Sequence, residues 1–127
     1  MEKRVQEMLH NIIEGKTYDE ALIQAYFSPD YVQVVDGKQL DFKAFKQHIK
    51  KLKELIERVA VEVCSTAVRD QVVFTKHQVE SVLRDGTYHK HLVMAEFTFQ
   101  DGKIIRCEEL TFLLEGSASG KDLGSKV

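Results

Sequence analysis

From about residue 59 to residue 114 the apolar pattern keeps a period of two, and this constrains the chain more than any other feature of it. Four stretches, about 59–69, 72–83, 88–99 and 103–114, alternate β-branched and aromatic side chains with polar ones, each over the length of a strand. Asp85-Gly86 and Asp101-Gly102 separate the last three. An Asp-Gly pair is a strong hairpin signal, because both residues accept the positive φ of a tight turn. The turn near Asp70-Gln71 carries a weaker signal. Four strands joined this way make an antiparallel meander, and at least one of its faces needs a cover.

The first 58 residues supply that cover. Val5, Met8, Leu9, Ile12 and Ile13 recur at helical spacing, and Gly15 stops the helix. Thr17 with Glu20 three residues on reads as a capping box for a second helix, with Ala21, Leu22, Ala25 and Tyr26 on one face and Ser28-Pro29 at its end. "YVQVVDGKQ" reads as a short strand running into an Asp-Gly turn. Asp41 then caps a third helix, whose stripe is Phe42, Phe45, Ile49, Leu52, Ile56 and Val59. Helices first and a meander after them predict an α+β fold: three N-terminal helices packed on one face of a curved, mainly antiparallel sheet. A single domain is expected over 1–116, followed by a small, polar tail at 117–127 whose composition suits disorder.

Composition excludes several classes of function. At 127 residues, 43% hydrophobic and 30% charged, the chain is long enough for one real core and has an ordinary globular balance. A net charge of -2 with no basic stripe argues against nucleic acid as a partner. The apolar runs are too short for a bilayer, and the charged N-terminus does not read as a secretory signal, so no membrane partner and a cytoplasmic setting are expected. Cys64 and Cys107 have no zinc-type spacing; they read as reduced thiols, with no metal site.

Centring the turns on Asp70-Gln71, Asp85-Gly86 and Asp101-Gly102 sorts the strand residues onto two faces. One face carries the cross-strand rows Cys64–His77–Met94–Glu109 and Thr66–Thr75–Glu96–Cys107, with Thr111 beside them. It is rich in small side chains, which leave a cavity beneath a helical cover. The other face carries Phe74, Val93, Ala95, Phe97, Phe99, Ile104, Leu110 and Phe112 among charged residues, with His91, His89 and Glu108. That much apolar surface predicts a homodimer through the outer sheet face. On this sorting Glu109 points inward and Glu108 outward. His77, Glu109 and Glu96 are the candidate catalytic groups, as proton shuttle, acid or base, and orienting carboxylate. Their bland readings are a hydrogen-bonded histidine and ion-paired carboxylates. Gln33, Cys64, Thr75, Met94, Cys107 and Thr111 are the candidate ligand-binding residues, and each also reads as an ordinary core or strand residue.

The order of elements, with "AYFSPDYVQVVDGKQLDFKAFKQHI", "RDQVVFTKHQVESVLRDG" and "AEFTFQDGKIIRCEELTFLLEG", resembles the nuclear transport factor 2-like fold and its SnoaL-like members over about residues 5–114. The resemblance implies a cone with a pocket in its mouth, on the face of His77 and Glu109, and pairing through the outer sheet face. Polyketide cyclases, ketosteroid isomerase-like enzymes, dehydratases, epoxide hydrolases and non-catalytic binding modules share that fold. The chain keeps Gln33 of the Gln-His pair that SnoaL-like sequences often carry, but has Val34 in place of the histidine. Where isomerase-like proteins place an acidic base it has Val34, Val35 and then Asp36 in a turn, and Met94 or Ala95 stands where they place a second acid. The expected function is therefore binding of a small, largely apolar or amphipathic molecule, with acid–base chemistry of isomerase, cyclase, dehydratase or epoxide hydrolase type and no cofactor. The alternative is a non-catalytic ligand-binding or protein-interaction module with a vestigial pocket.

Overall fold

The structure, a computed structural model, describes residues 1–116; the expected polar tail at 117–127 lies outside the described residues. Helix α1 (Glu2–Met8) runs on into a π-helical turn at Leu9–Ile13, where Glu14 N donates to Leu9 O at 3.2 Å. Helices α2 (Glu20–Tyr26) and α3 (Phe42–Leu55) flank a hairpin of β1 (Phe27–Val35) and β2 (Lys38–Asp41). The meander follows as β3 (Ile56–Arg69), β4 (Val72–Leu83), β5 (Tyr88–Gln100) and β6 (Lys103–Glu115). All six strands join one curved sheet in the order β2-β1-β6-β5-β4-β3, in which β1 and β6 are parallel and the other pairs antiparallel.

The helices bury one face of the sheet. Phe27 and Tyr31 of β1 pack on Phe45 of α3 with ring centroids 4.9 and 4.8 Å away, and Val5, Met8, Leu9, Ile12 and Ile23 complete the core from the N-terminal helices. Asp41 caps α3 as its spacing predicts, accepting from Ala44 N at 2.8 Å. The cap of α2 is Asp19, not Thr17: Asp19 accepts from Leu22 N at 3.1 Å, while Glu20 turns away to accept from Tyr18, Gln24 and Lys46.

The face assignment needs correcting on β5. Asp85-Gly86 is not a two-residue turn. Leu83 N donates to Thr87 O at 2.8 Å and Gly86 N to Leu83 O at 2.9 Å, so Arg84, Asp85 and Gly86 form a three-residue loop. Only Gly86 of the pair has a positive φ, at 90°, and Asp85 accepts from Thr87 N and Thr87 Oγ1. The extra residue slips β5 by one against β4, so His77 lies opposite Val93 instead of Met94. Met94 and Glu96 therefore stand on the open face, while His89, His91, Val93, Ala95, Phe97 and Phe99 are buried under the helices. Cys64 is also displaced: a bulge between Val63↔His77 and Ser65↔Lys76 leaves it out of register and exposed. A further bulge leaves Ile105 unpaired between Phe99↔Ile104 and Thr98↔Arg106, which turns Ile104, Cys107, Glu109 and Thr111 inward and Glu108 outward.

Candidate functional site

A cavity of about 150 Å³ opens between the covered sheet face, the end of the first helix and α3. Its wall is mainly apolar, with Leu9, Phe27, Ile49, Leu52, Val79 and Phe97 among the lining residues. The register sets its polar groups in rows. Thr75, Ala95, Glu109 and Val35 lie side by side across four strands, and His77, Val93 and Thr111 form the next row.

Glu109 is the group that this environment changes most in a chemically useful way. Burial, together with the nearby Asp36 charge, pushes its carboxyl up to about 7, partly offset by the Cys107 Sγ contact at 3.9 Å. On β1, Tyr31 OH donates to Gln33 Oε1 at 2.7 Å, both side chains buried. Burial raises Tyr31 well above the usual phenol range, and Cys107 and Glu109 add to that; burial, and then Glu109, likewise raises the Cys107 thiol. Both groups are thus uncharged at neutral pH. Burial pushes His77 down to about 4, so it too is uncharged there, and its Nδ1 is 2.9 Å from Thr75 Oγ1.

At the other end of the cavity the first helix ends on a lysine. Lys53 Nζ donates to Ile12 O at 2.6 Å, to Ile13 O at 3.1 Å and to Gly15 O, answering carbonyls that a helix terminus leaves unpaired, and burial lowers its pKa. Glu14 accepts from Val61 N at 2.6 Å on the edge strand β3; against the penalty of burial, that bond and one from His10 hold its carboxyl below the usual range.

Of the residues picked out from sequence, His77, Glu109, Gln33, Cys107 and Thr111 line this cavity, and Thr75 lies behind His77. Cys64, Met94 and Glu96 are remote from it, on the open side of the sheet, for the reasons of register given above. Tyr31, His48, Ser81 and His91 also line it, and the sequence pattern does not single them out. His48 had a signal, since it falls three residues after Phe45 on the stripe of α3. His91, outward and exposed on the sequence sorting, is inward and buried by the same slip of β5. Among the described residues no group of three or more His, Cys, Asp or Glu is placed to hold a metal ion, and no helix is long and apolar enough to cross a membrane.

The architecture matches known structures closely. The polyketide cyclase candidate IdmH from Streptomyces antibioticus superposes with a TM-score of 0.74 at 11% identity, over 98% of this chain and 96% of that one. An epoxide hydrolase of M. tuberculosis described as LEH-like gives 0.73 at 12% identity, over 87% and 80%. An NTF2-like protein of unknown function from Exiguobacterium sp. 255-15 gives 0.73 at 17% identity, over 86% and 98%. These likenesses make the fold nuclear transport factor 2-like, as the sequence resemblance implied. No protein-family model matches the chain. In sequence, the uncharacterized protein C11D3.04c of Schizosaccharomyces pombe is 31% identical over 107 residues, which span 84% of this chain and 82% of that one. The chain therefore belongs to one family with that fission-yeast protein, built on the nuclear transport factor 2-like fold.

Proposed function

We propose that the cavity binds a small, largely apolar molecule and that Glu109 acts on it as a general acid–base group. One observation carries this reading: a carboxyl that burial pushes up to about 7 stands in the wall of a mainly apolar cavity. A group whose pKa lies near the working pH is the most effective in both directions of proton transfer. His77, uncharged, and the Tyr31–Gln33 pair serve as hydrogen-bonding partners that orient the ligand, with Cys107 and Thr111 beside them. The named activities among similar structures, a polyketide cyclase candidate and an epoxide hydrolase, favour ring closure or epoxide opening. The unpaired thiols of Cys64 and Cys107 suit a cytoplasmic setting.

Small cyclic ketones can stand in for the natural ligand, because their α-protons report general acid–base action directly. They are incubated with the protein in deuterated buffer, and loss of their α-proton NMR signals is followed. The wild-type chain should accelerate exchange of at least one ketone, and Glu109→Gln should slow it by at least about 100-fold. Equal exchange by both proteins would remove Glu109 from the chemistry. Binding of the ketones with no acceleration by either would favour a non-catalytic binding module.

A second copy of the chain is the partner we assign to the open sheet face. Phe112, Leu110 and Met94 are 66%, 65% and 52% exposed there, in one contiguous patch. Lys76 lies across from Met94, and Glu96 lies directly opposite Glu108, an arrangement of like charges that a lysine from a two-fold partner would relieve. Light scattering should give twice the chain mass for the wild type and the single mass for Phe112→Glu. A wild-type monomer at about 50 µM, a working protein concentration, would refute the assignment.

A further inference from the structure

The parallel pairing of β1 with β6 ends at Val35↔Glu109. Beyond it the chain reverses through Asp36 and Gly37, with φ of 51° and 85°. Asp36 N still donates to Glu109 O at 3.0 Å. Two residues later β6 has lost β1 as a neighbour, and Asp36 takes its place: Asp36 Oδ1 accepts from Thr111 N at 2.8 Å, and Oδ2 accepts from Thr111 Oγ1. One residue thus ties down β6 on both sides of position 110. Thr111 and Glu109 share the covered face and are about 7 Å apart along the strand, so the Asp36 carboxylate is held against the next inward-facing residue after Glu109. The turn itself does not require an acid. Asparagine tolerates a positive φ as well as aspartate does, and its side-chain oxygen would accept from Thr111 N. What aspartate adds is a second acceptor oxygen and a negative charge.

We propose that Asp36 is a positioning residue for Glu109: it anchors the strand at Glu109 itself and again at Thr111, and its carboxylate adds a negative charge near the Glu109 carboxyl. The inference rests on the reading of Glu109 as the acid–base group. A like charge nearby disfavours ionisation of Glu109, in the same direction as its burial. The other titratable groups around the cavity do not supply such a charge: Glu57 in its wall is ion-paired with Arg84 at 3.2 Å, and Lys16 and Arg58 are cations. Tyr31, Cys107 and His77 are uncharged at neutral pH for the reasons given above, and His48 of α3 and His91 of β5 are histidines. Glu14 and Lys53 are both engaged at the end of the first helix. With Asp36 in place, Glu109 holds a proton that it can give to a ligand oxygen, and the carboxylate left behind is a stronger base for taking one back.

The experiment is a carbon-13 NMR titration of side-chain carboxyls in the full chain, wild type against Asp36→Asn, with Glu109→Gln to assign the Glu109 signal. In the wild type Glu109 should titrate near pH 7. In Asp36→Asn, with a dispersed native spectrum, its midpoint should fall by on the order of one pH unit, the shift expected for removing a nearby unit charge. An unchanged midpoint overturns the role of Asp36 and leaves that of Glu109 standing. A wild-type midpoint in the ordinary glutamate range overturns both. A shifted midpoint in Asp36→Asn, together with undiminished ketone exchange by Glu109→Gln, supports the coupling and refutes the acid–base reading alone. If Asp36→Asn does not fold, the wild-type protein decides: the Asp36 carboxyl signal should show an inflection at the Glu109 midpoint, and its absence overturns the proposal.

Discussion

The buried pair of titrating groups predicts an unusual dependence of stability on pH. Glu109 rises from 4.5 to about 7 on folding, and His77 falls from 6.5 to about 4. The native state therefore binds the Glu109 proton more tightly than the unfolded chain does. The resulting stabilisation is fully present below about pH 4.5 and is lost as the pH rises towards 7. His77 has the opposite sign: the native state resists protonation, so its stabilisation is present above about 6.5 and is lost as the pH falls towards 4. Between about 4.5 and 6.5 the two slopes, each at most about 1.4 kcal/mol per pH unit, oppose each other and largely cancel. Glu109→Gln removes one of them while keeping the side-chain shape. The stability of the variant relative to wild type should then increase by about 2 kcal/mol between pH 4.5 and 6.5, the integral of the proton-binding difference over that window. Urea unfolding followed by circular dichroism, at fixed ionic strength and protein concentration, measures it. Carboxylates distant from Glu109 titrate alike in both proteins and drop out of the comparison. A stability difference that stays constant with pH would refute the burial and charge argument for Glu109.

The thiols should react very differently: Cys64 is exposed and Cys107 buried, so mass spectrometry after brief labelling of the native protein should find Cys64 modified and Cys107 untouched. Two fast-reacting thiols would show that β6 does not present Cys107 inward. Lys53→Met should cost about 2 kcal/mol in urea unfolding, because the carbonyls of Ile12, Ile13 and Gly15 lose their shared donor at a partly buried helix end.

Much of this fold can be read from the chain because local signals and hydrophobic period agree. The change of period near residue 59, the aspartate cap at Asp41 and the Asp101-Gly102 turn each specify one local geometry, and the structure adopts all three. The parallel partnership of β1 with β6 is less accessible. It joins residues more than 70 positions apart, and no turn encodes it. Asp36 shows the consequence. As a member of an Asp-Gly turn it has a complete local explanation, and only the arrival of Thr111 across the sheet ties its carboxylate to a residue of the cavity wall.

The Asp85-Gly86 pair explains why sequence pattern places the inward glutamate correctly and its strand neighbours wrongly. The same dipeptide fits a two-residue turn or the last two positions of a three-residue loop, and the choice shifts the next strand by one residue. Here Asp85 accepts from Thr87, and the longer loop results, so every side chain of β5 changes face: Met94 and Glu96 leave the cavity, and His91 enters it. The bulge at Ile105 then shifts β6 by one more, so that Thr111 instead of Glu109 stands in the row of His77. Two slips of one residue restore the original parity, which is why Glu109 and Cys107 face the cavity although their partners on β5 are Ala95 and Phe97, not Met94 and Glu96. The exchange matters chemically. With Met94 and Glu96 between them, Glu109 and His77 would have been screened by a long side chain and joined by a second carboxylate. With Ala95 and Val93 there instead, the two polar groups stand in neighbouring rows two strands apart, their backbones roughly 12 Å from each other across an apolar floor, a gap for a ligand to span.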